Sequence, residues 1–275
     1  MAKIQGLLEL IRPLNCVMAA FAVFIGYVVS AGAFASFSQQ LAFAMIAAFL
    51  ICGAGQAIND YFDRHIDRKK NSKKPIPSGA VKAETALLFS MALFLFGNVF
   101  AYFVNGTALA ISLAFTLLLV FYSAFLGKAK FLGNWVVAAG TAFTLVFGAT
   151  ISGEYFTVLF LAASALLANA AREIMKDMED SYFDKGFKNS LPMILEHGQL
   201  VALVAALHII AIAFAFVPLA LGFFGNVQFV FFVLIGNALF FYSIYTLDRK
   251  DYPLAQRLSK AGMLLCLIGF LLGVV

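Results

Sequence analysis

The stretch "QAINDYFDRHIDRKKNSKKPIPSG", residues 56–79, decides how the chain is read. It follows directly on an apolar run, "LAFAMIAAFLICGAG" (41–55), that is suited to lipid. Within a dozen residues come Asn59, Asp60, Asp63 and Asp67, followed by a burst of Lys and Arg. The question is why so apolar a segment ends in packed carboxylates and cations.

The chain has 275 residues, of which 63% are hydrophobic and 12% charged, with a mean hydropathy of +0.94. A soluble domain carries about 25% charged residues, so lipid is the main solvent here. Apolar runs of about 18 or more residues read as transmembrane helices, and they recur along the whole length. The expectation is one integral membrane domain over residues 1–275, all α, with no separate soluble part. The opening "MAKIQGLLELIRPLN" lacks the small-residue cleavage site of a secretory signal and reads as an amphipathic lead-in on the membrane surface. Cys16, Cys52 and Cys266 sit inside apolar runs without metal-type spacing and read as small core residues. Nothing in the charge pattern calls for nucleic acid or for an obligate protein partner.

Hydropathy predicts nine spans, at 14–33, 41–58, 84–103, 107–125, 133–151, 156–172, 200–220, 227–246 and 258–275. All 19 Lys and Arg fall at the N-terminus or in the loops after spans 2, 4, 6 and 8. The other loops hold none. Because positive residues mark the cytoplasmic side, this predicts the N-terminus and the charged loops inside and the C-terminus outside. Thirteen of the 14 acids follow the same sorting, leaving Glu154 on the other side. Orientation requires the cations but not the acids, so the inner face uses both signs.

A second acidic cluster, "REIMKDMEDSYFDKG" (172–186), follows span 6. Asp177, Asp180 and Asp184 repeat the spacing of Asp60, Asp63 and Asp67 at an offset of 117, and "FYSAFLGKAK" (121–130) is echoed by "FYSIYTLDRK" (241–250) at 120. These matches suggest a duplicated four-helix unit with a ninth helix added. Transporters also arise by duplication, but their ionisable residues favour the bilayer midplane. Here they crowd one end, which leaves a carrier as the weaker reading.

On a helix, positions three, four and seven apart share a face. Asn59, Asp63 and Asp67 form one stripe of hard oxygen ligands, and Asp177, Asp180 and Asp184 another. Carboxylates crowded near low dielectric persist where something cationic neutralises them. Mg²⁺ fits, since it takes carboxylate oxygens and is usually completed by substrate phosphates. His65, His197 and His208 are scattered and offer no zinc set. The interleaved Arg64, Arg68, Lys73, Lys74, Arg172 and Lys176 complete a pattern in which carboxylates hold metal and cations hold phosphate.

These residues are recognisable. "NDYFDRHID" resembles the first aspartate-rich motif, N-D-x-x-D-x-x-x-D, of the UbiA superfamily of intramembrane prenyltransferases. "KPIPSG" is similar to the segment after it, and "KDMEDSYFD" to the second motif, D-x-x-D-x-x-x-D. "IRPLN" entering span 1 and "YS" with a following Lys extend the likeness over essentially the whole chain. The resemblance implies Mg²⁺-dependent transfer of a polyprenyl group from its diphosphate to an acceptor. Carried over, Asn59, Asp63 and Asp67 would hold one metal, and Asp177, Asp180 and Asp184 the other. Arg12, Asn15, Arg64, Lys73, Lys74 and Arg172 would contact substrate, and Tyr122 would shelter the allylic cation. The family has one Lys after "YS"; here Lys128 and Lys130 are alternatives for the diphosphate, Lys128 being preferred. "RPLNCVMAAFAVFIGYVVS", "AREIMKDMEDSYFDKG" and "SLPM" look most like the family's ether-lipid branch. That branch moves geranylgeranyl from its diphosphate to a lipid-like phosphorylated acceptor, geranylgeranylglyceryl phosphate. A 4-hydroxybenzoate polyprenyltransferase is the alternative.

Overall fold

The computed structural model describes residues 2–32, 37–69, 73–126, 130–184, 190–224 and 226–274. Ten α-helices follow one another: α1 (Ala2–Ile11), α2 (Pro13–Ala31), α3 (Gln39–Lys69), α4 (Ala83–Val104), α5 (Gly106–Phe121), α6 (Lys130–Ala149), α7 (Phe156–Asp184), α8 (His197–Ala220), α9 (Val227–Asp248) and α10 (Tyr252–Gly273). A π-helical turn, Tyr122–Leu126, extends α5, and a single 3₁₀ turn, Leu191–Met193, precedes α8. Among the described residues there is no strand, and nine helices, α2 to α10, are long and apolar enough to cross a membrane.

Local chemistry explains where several helices start. The Asn105 side chain caps α5 by accepting from the Ala108 amide at 2.8 Å. Asn226 does the same for α9 through Phe229 at 2.9 Å, and Asp251 caps α10 through Leu254 at 3.2 Å, with Pro253 in the first turn. Asn and Asp are favoured there because their side-chain oxygens satisfy first-turn amides that have no partner within the helix. The cap at Asp251 starts α10 six residues before the hydropathy window expected.

Two helices run well past their apolar windows. α3 continues from the expected end at 58 to Lys69, and α7 from 172 to Asp184. No Pro or Gly interrupts either stretch, and helix continuation depends on backbone hydrogen bonds rather than on hydropathy. At 31 residues, α3 is about 46 Å long by the ordinary rise, against about 30 Å of hydrocarbon. Both aspartate motifs are therefore helical.

The chain forms two compact units, residues 1–24 with 37–128 and residues 25–36 with 129–275. In the first, α1 lies against α3 through a core of Leu10, Ala57, Ile76, Val81 and Ala86, while Ile4 and Leu8 stay exposed. The amphipathic lead-in is thus a helix with one face packed. A second core joins Ile51, Ala54 and Ile58 of α3 to Phe94 of α4. Asn98 of α4 bridges to α5, donating to Thr116 at 3.1 Å and accepting from Ser112 at 2.6 Å.

In the second unit, Ile174, Met175 and Met178 of α7 pack with Leu200, Val204 and Leu207 of α8 and Leu247 of α9. His208, fully buried, contacts the Val204 carbonyl at 3.0 Å and the Ser259 hydroxyl at 3.3 Å. That is a packing role. α9 and α10 approach closely through Gly236 and Gly262: a Cβ on Gly236 would lie 2.6 Å from the Cys266 sulfur and 2.8 Å from the Gly262 carbonyl oxygen. Small residues at such crossings let helix backbones meet where no hydrophobic force drives them together in lipid. Gly236→Leu is expected to destabilise the protein by about 3 kcal/mol through overpacking, read as a drop in thermal unfolding temperature; an unchanged temperature would show the crossing is not tight.

Candidate active site

The acidic end of α3 is organised around Asp60. This carboxylate is 3% exposed and accepts from Arg12 Nη2 at 3.1 Å and from Lys74 Nζ at 3.0 Å. Lys74 also donates to Asp67 at 2.7 Å, so one ammonium ties together two carboxylates two turns apart. Burial works against the Lys74 ammonium, but Asp60 and Asp67 outweigh it and hold its pKa above the ordinary lysine value. A buried carboxylate persists when it is paired in this way.

Arg12 reaches Asp60 from an unusual backbone. It forms the corner between α1 and α2 with φ +48°, a left-handed conformation that costs a non-glycine residue about 1–2 kcal/mol. α3 holds that corner at two points one turn apart. Gln56 donates to the Ile11 carbonyl at 2.9 Å and accepts from Asn15 at 3.0 Å, and Asp60 takes the guanidinium. Such strain survives where surrounding contacts over-determine it, and it is concentrated at functional sites.

Next to this buried row runs the outer stripe. Asn59 donates to Asp63 at 3.3 Å, and both are partly exposed. Lys73, in the loop after α3, is exposed. Arg64, expected to contact substrate, donates to the Tyr61 carbonyl at 2.7 Å, lies 4.4 Å over the Tyr61 ring, and lines a cleft with residues 76–84. Tyr122 opens the π-helical turn and is partly buried; such turns recur at functional sites. Lys128 lies outside the described residues, as does the side chain of Lys130.

The second unit repeats the arrangement at the end of α7. Asp177 is 3% exposed and accepts from Asn134 of α6 at 2.8 Å, while Asp180 is partly exposed. The side chain of Asp184 lies outside the described residues. One turn earlier, Glu173 is buried and paired with Arg172 at 2.8 Å and Lys176 at 3.6 Å. Arg172 is further oriented by Asn169 at 3.2 Å, which itself bonds Thr141 at 2.7 Å. In each triplet, then, the first Asp is buried against a nitrogen donor from another element and the second is more open.

Sequence reasoning did not single out Asp60, Gln56, Asn134 or Glu173 as site residues. The equal offset of Asp60 and Asp177 was a usable signal; Gln56, Asn134 and Glu173 act through contacts that spacing does not reveal. Among the described residues no three His, Cys, Asp or Glu side chains close on one point. An ion held on these oxygens would complete its shell from water or phosphate, which suits a hard divalent cation rather than zinc.

Comparison with known families places residues 19–271 in the UbiA prenyltransferase family. The chain belongs to that family. It is therefore a prenyltransferase of multi-pass membrane type, the nine apolar helices among its described residues agreeing with the match. This UbiA-family chain is 36% identical over 278 residues to the digeranylgeranylglyceryl phosphate synthase of Natronomonas pharaonis, covering 99% of this chain and 98% of that one. A solved structure of digeranylgeranylglyceryl phosphate synthase in membranes matches with TM-score 0.82 and 30% identity, over 100% of this chain and 99% of its own. The UbiA homolog from Archaeoglobus fulgidus bound to GPP and Mg²⁺ shares the fold, with TM-score 0.68, 17% identity and coverage of 98% and 100%.

Proposed function

We propose that this enzyme transfers a geranylgeranyl group from geranylgeranyl diphosphate to geranylgeranylglyceryl phosphate, forming digeranylgeranylglyceryl phosphate. The end-to-end likeness to the Natronomonas pharaonis synthase carries this reading. The allylic C–O bond of the donor breaks, diphosphate leaves, and a glycerol hydroxyl of the acceptor forms the new ether bond as it loses its proton.

In this reading Asn59, Asp63 and Asp67 hold one Mg²⁺, and Asp177, Asp180 and Asp184 hold a second. The bound metal would neutralise charge developing on the leaving diphosphate. The oxygen-only donor sets support that choice, as does the Mg²⁺ held by the Archaeoglobus fulgidus homolog. Lys74 and Lys128 serve the diphosphate. Arg12, Asn15 and Lys73 are left for the acceptor's phosphate, for which the planar fork of Arg is well shaped. Tyr122 shelters the allylic cation.

The test is incubation of purified protein and Mg²⁺ with radiolabelled geranylgeranyl diphosphate and two acceptors. Transfer to geranylgeranylglyceryl phosphate is expected. Transfer to 4-hydroxybenzoate alone would overturn the acceptor assignment.

The sorting of Lys and Arg supports an orientation with the N-terminus and both motifs cytoplasmic and the C-terminus outside. After replacement of Cys16, Cys52 and Cys266, a single cysteine at Thr107 or Gln228 is expected to react with an impermeant maleimide from outside. Reaction only after permeabilisation would reverse the orientation.

A further inference from the structure

Away from the carboxylate stripe, the first unit holds a cleft of about 290 Å³ whose walls are Arg64, His65 and Arg68 of α3 and the segment from Ile76 to Glu84. Three basic side chains, Arg64, Arg68 and Lys82, line it against one carboxylate, Glu84. Arg64 is oriented by the Tyr61 carbonyl and ring, and its contacts with Tyr61 leave further guanidinium N–H groups available. Arg68 follows one helical turn later and is exposed, as is Lys82. Among the described residues, neither Arg68 nor Lys82 forms an ion pair.

The cleft also receives the start of α4, a 22-residue helix whose N-cap position is Lys82 with no side-chain cap bond. A lysine has no acceptor to offer, so no cap side chain takes up the first-turn amides of α4, and the carboxylate in that turn is Glu84. A helix start of this kind favours anions through its amides and its dipole. Gly79, at φ +79°, turns the chain over the cleft with no heavy atom within 4 Å of where a Cβ would lie. Membrane orientation accounts for cations on this side of the chain. It requires neither a concave site nor a long helix left uncapped into it.

We propose that this cleft is a second anion site, separate from the aspartate stripes, which binds one phosphate group of the kind carried by a phosphorylated lipid headgroup. Two guanidinium groups, an ammonium and the α4 amides match the several acceptor oxygens of a phosphate monoester. The lipid would then supply the neutralising partner that Arg68 and Lys82 do not have among the described residues.

The test uses the full chain purified in a neutral detergent, with native mass spectrometry counting the lipid retained. The probes are dioleoyl phosphatidic acid, phosphatidylcholine and inorganic phosphate. The wild type is expected to retain one phosphatidic acid at least about tenfold more tightly than phosphatidylcholine, the worth of one charge-assisted contact. The Arg68→Gln/Lys82→Gln variant is expected to lose that preference, and the charge-keeping Arg68→Lys/Lys82→Arg variant to retain it. Displacement of the lipid by millimolar inorganic phosphate would support the phosphate site and name the free ion as its occupant. No preference in the wild type, a reading that needs no variant to fold, would overturn the site. So would equal retention by the wild type and the Gln variant.

Discussion

Replacing Asp63 or Asp180 by alanine is expected to lower prenyl transfer about a thousandfold while leaving the helices assembled. The magnitude follows from removing one group that stabilises charge developing in the transition state, which typically costs 10²–10³ in turnover. Structure explains why the fold should survive. Each side chain is more open than the first Asp of its triplet, the buried Asp60 and Asp177 being held by Arg12, Lys74 and Asn134. Turnover with labelled geranylgeranyl diphosphate measures the first part, and size exclusion with thermal unfolding the second. EDTA is expected to mimic the loss in the wild type, with recovery on added Mg²⁺. Turnover within tenfold of wild type for either variant, or full activity in EDTA, would remove the metal from the mechanism.

Asp60→Ala is expected to behave differently, losing both stability and activity. It leaves the Arg12 guanidinium and one side of the Lys74 ammonium without their partner. Breaking a buried pair costs about 3–5 kcal/mol; here Arg12 and Lys74 are 44% and 33% exposed and can turn to water, so about 2 kcal/mol is expected. The left-handed corner at Arg12 loses one of its two tethers to α3, and with it the aim of two cations assigned to substrate. Activity should fall about a hundredfold, as for loss of outer residues that orient ligating groups. The diagnostic comparison is with Asp63→Ala: the Asp60 variant unfolds at lower temperature, the Asp63 variant does not. Equal unfolding temperatures for Asp60→Ala and wild type would remove Asp60 from its central position.

The same bridge has a defined pH behaviour. The Lys74 pKa is raised in the folded protein, so its contribution is fully present below the unfolded lysine value of about 10.4. It is lost only as pH rises through the higher folded value. The Lys74 contribution to the unfolding temperature is therefore expected to be constant through neutral pH and to fall away above about pH 10.4, and Lys74→Met is expected to abolish that alkaline drop.

The sequence by itself determined the membrane class, the nine apolar helices and the paired aspartate motifs. Lipid makes these legible in one dimension, because a chain crossing hydrocarbon must satisfy its backbone within each helix and show an apolar run long enough to span. Helical periodicity likewise told which acids share a face of their own helix. It could not tell which neighbour that face meets. That Asp60 is buried against Arg12, 48 residues earlier, and Asp177 against Asn134, 43 residues earlier, was decided by tertiary packing. So was the turning of Arg64 onto Tyr61 and into the cleft with residues 76–84. The ends of α3 and α7 were hidden for a related reason. Hydropathy reports the solvent around a segment, whereas a helix stops where its backbone hydrogen bonds stop, and in both helices that point lies beyond the apolar run.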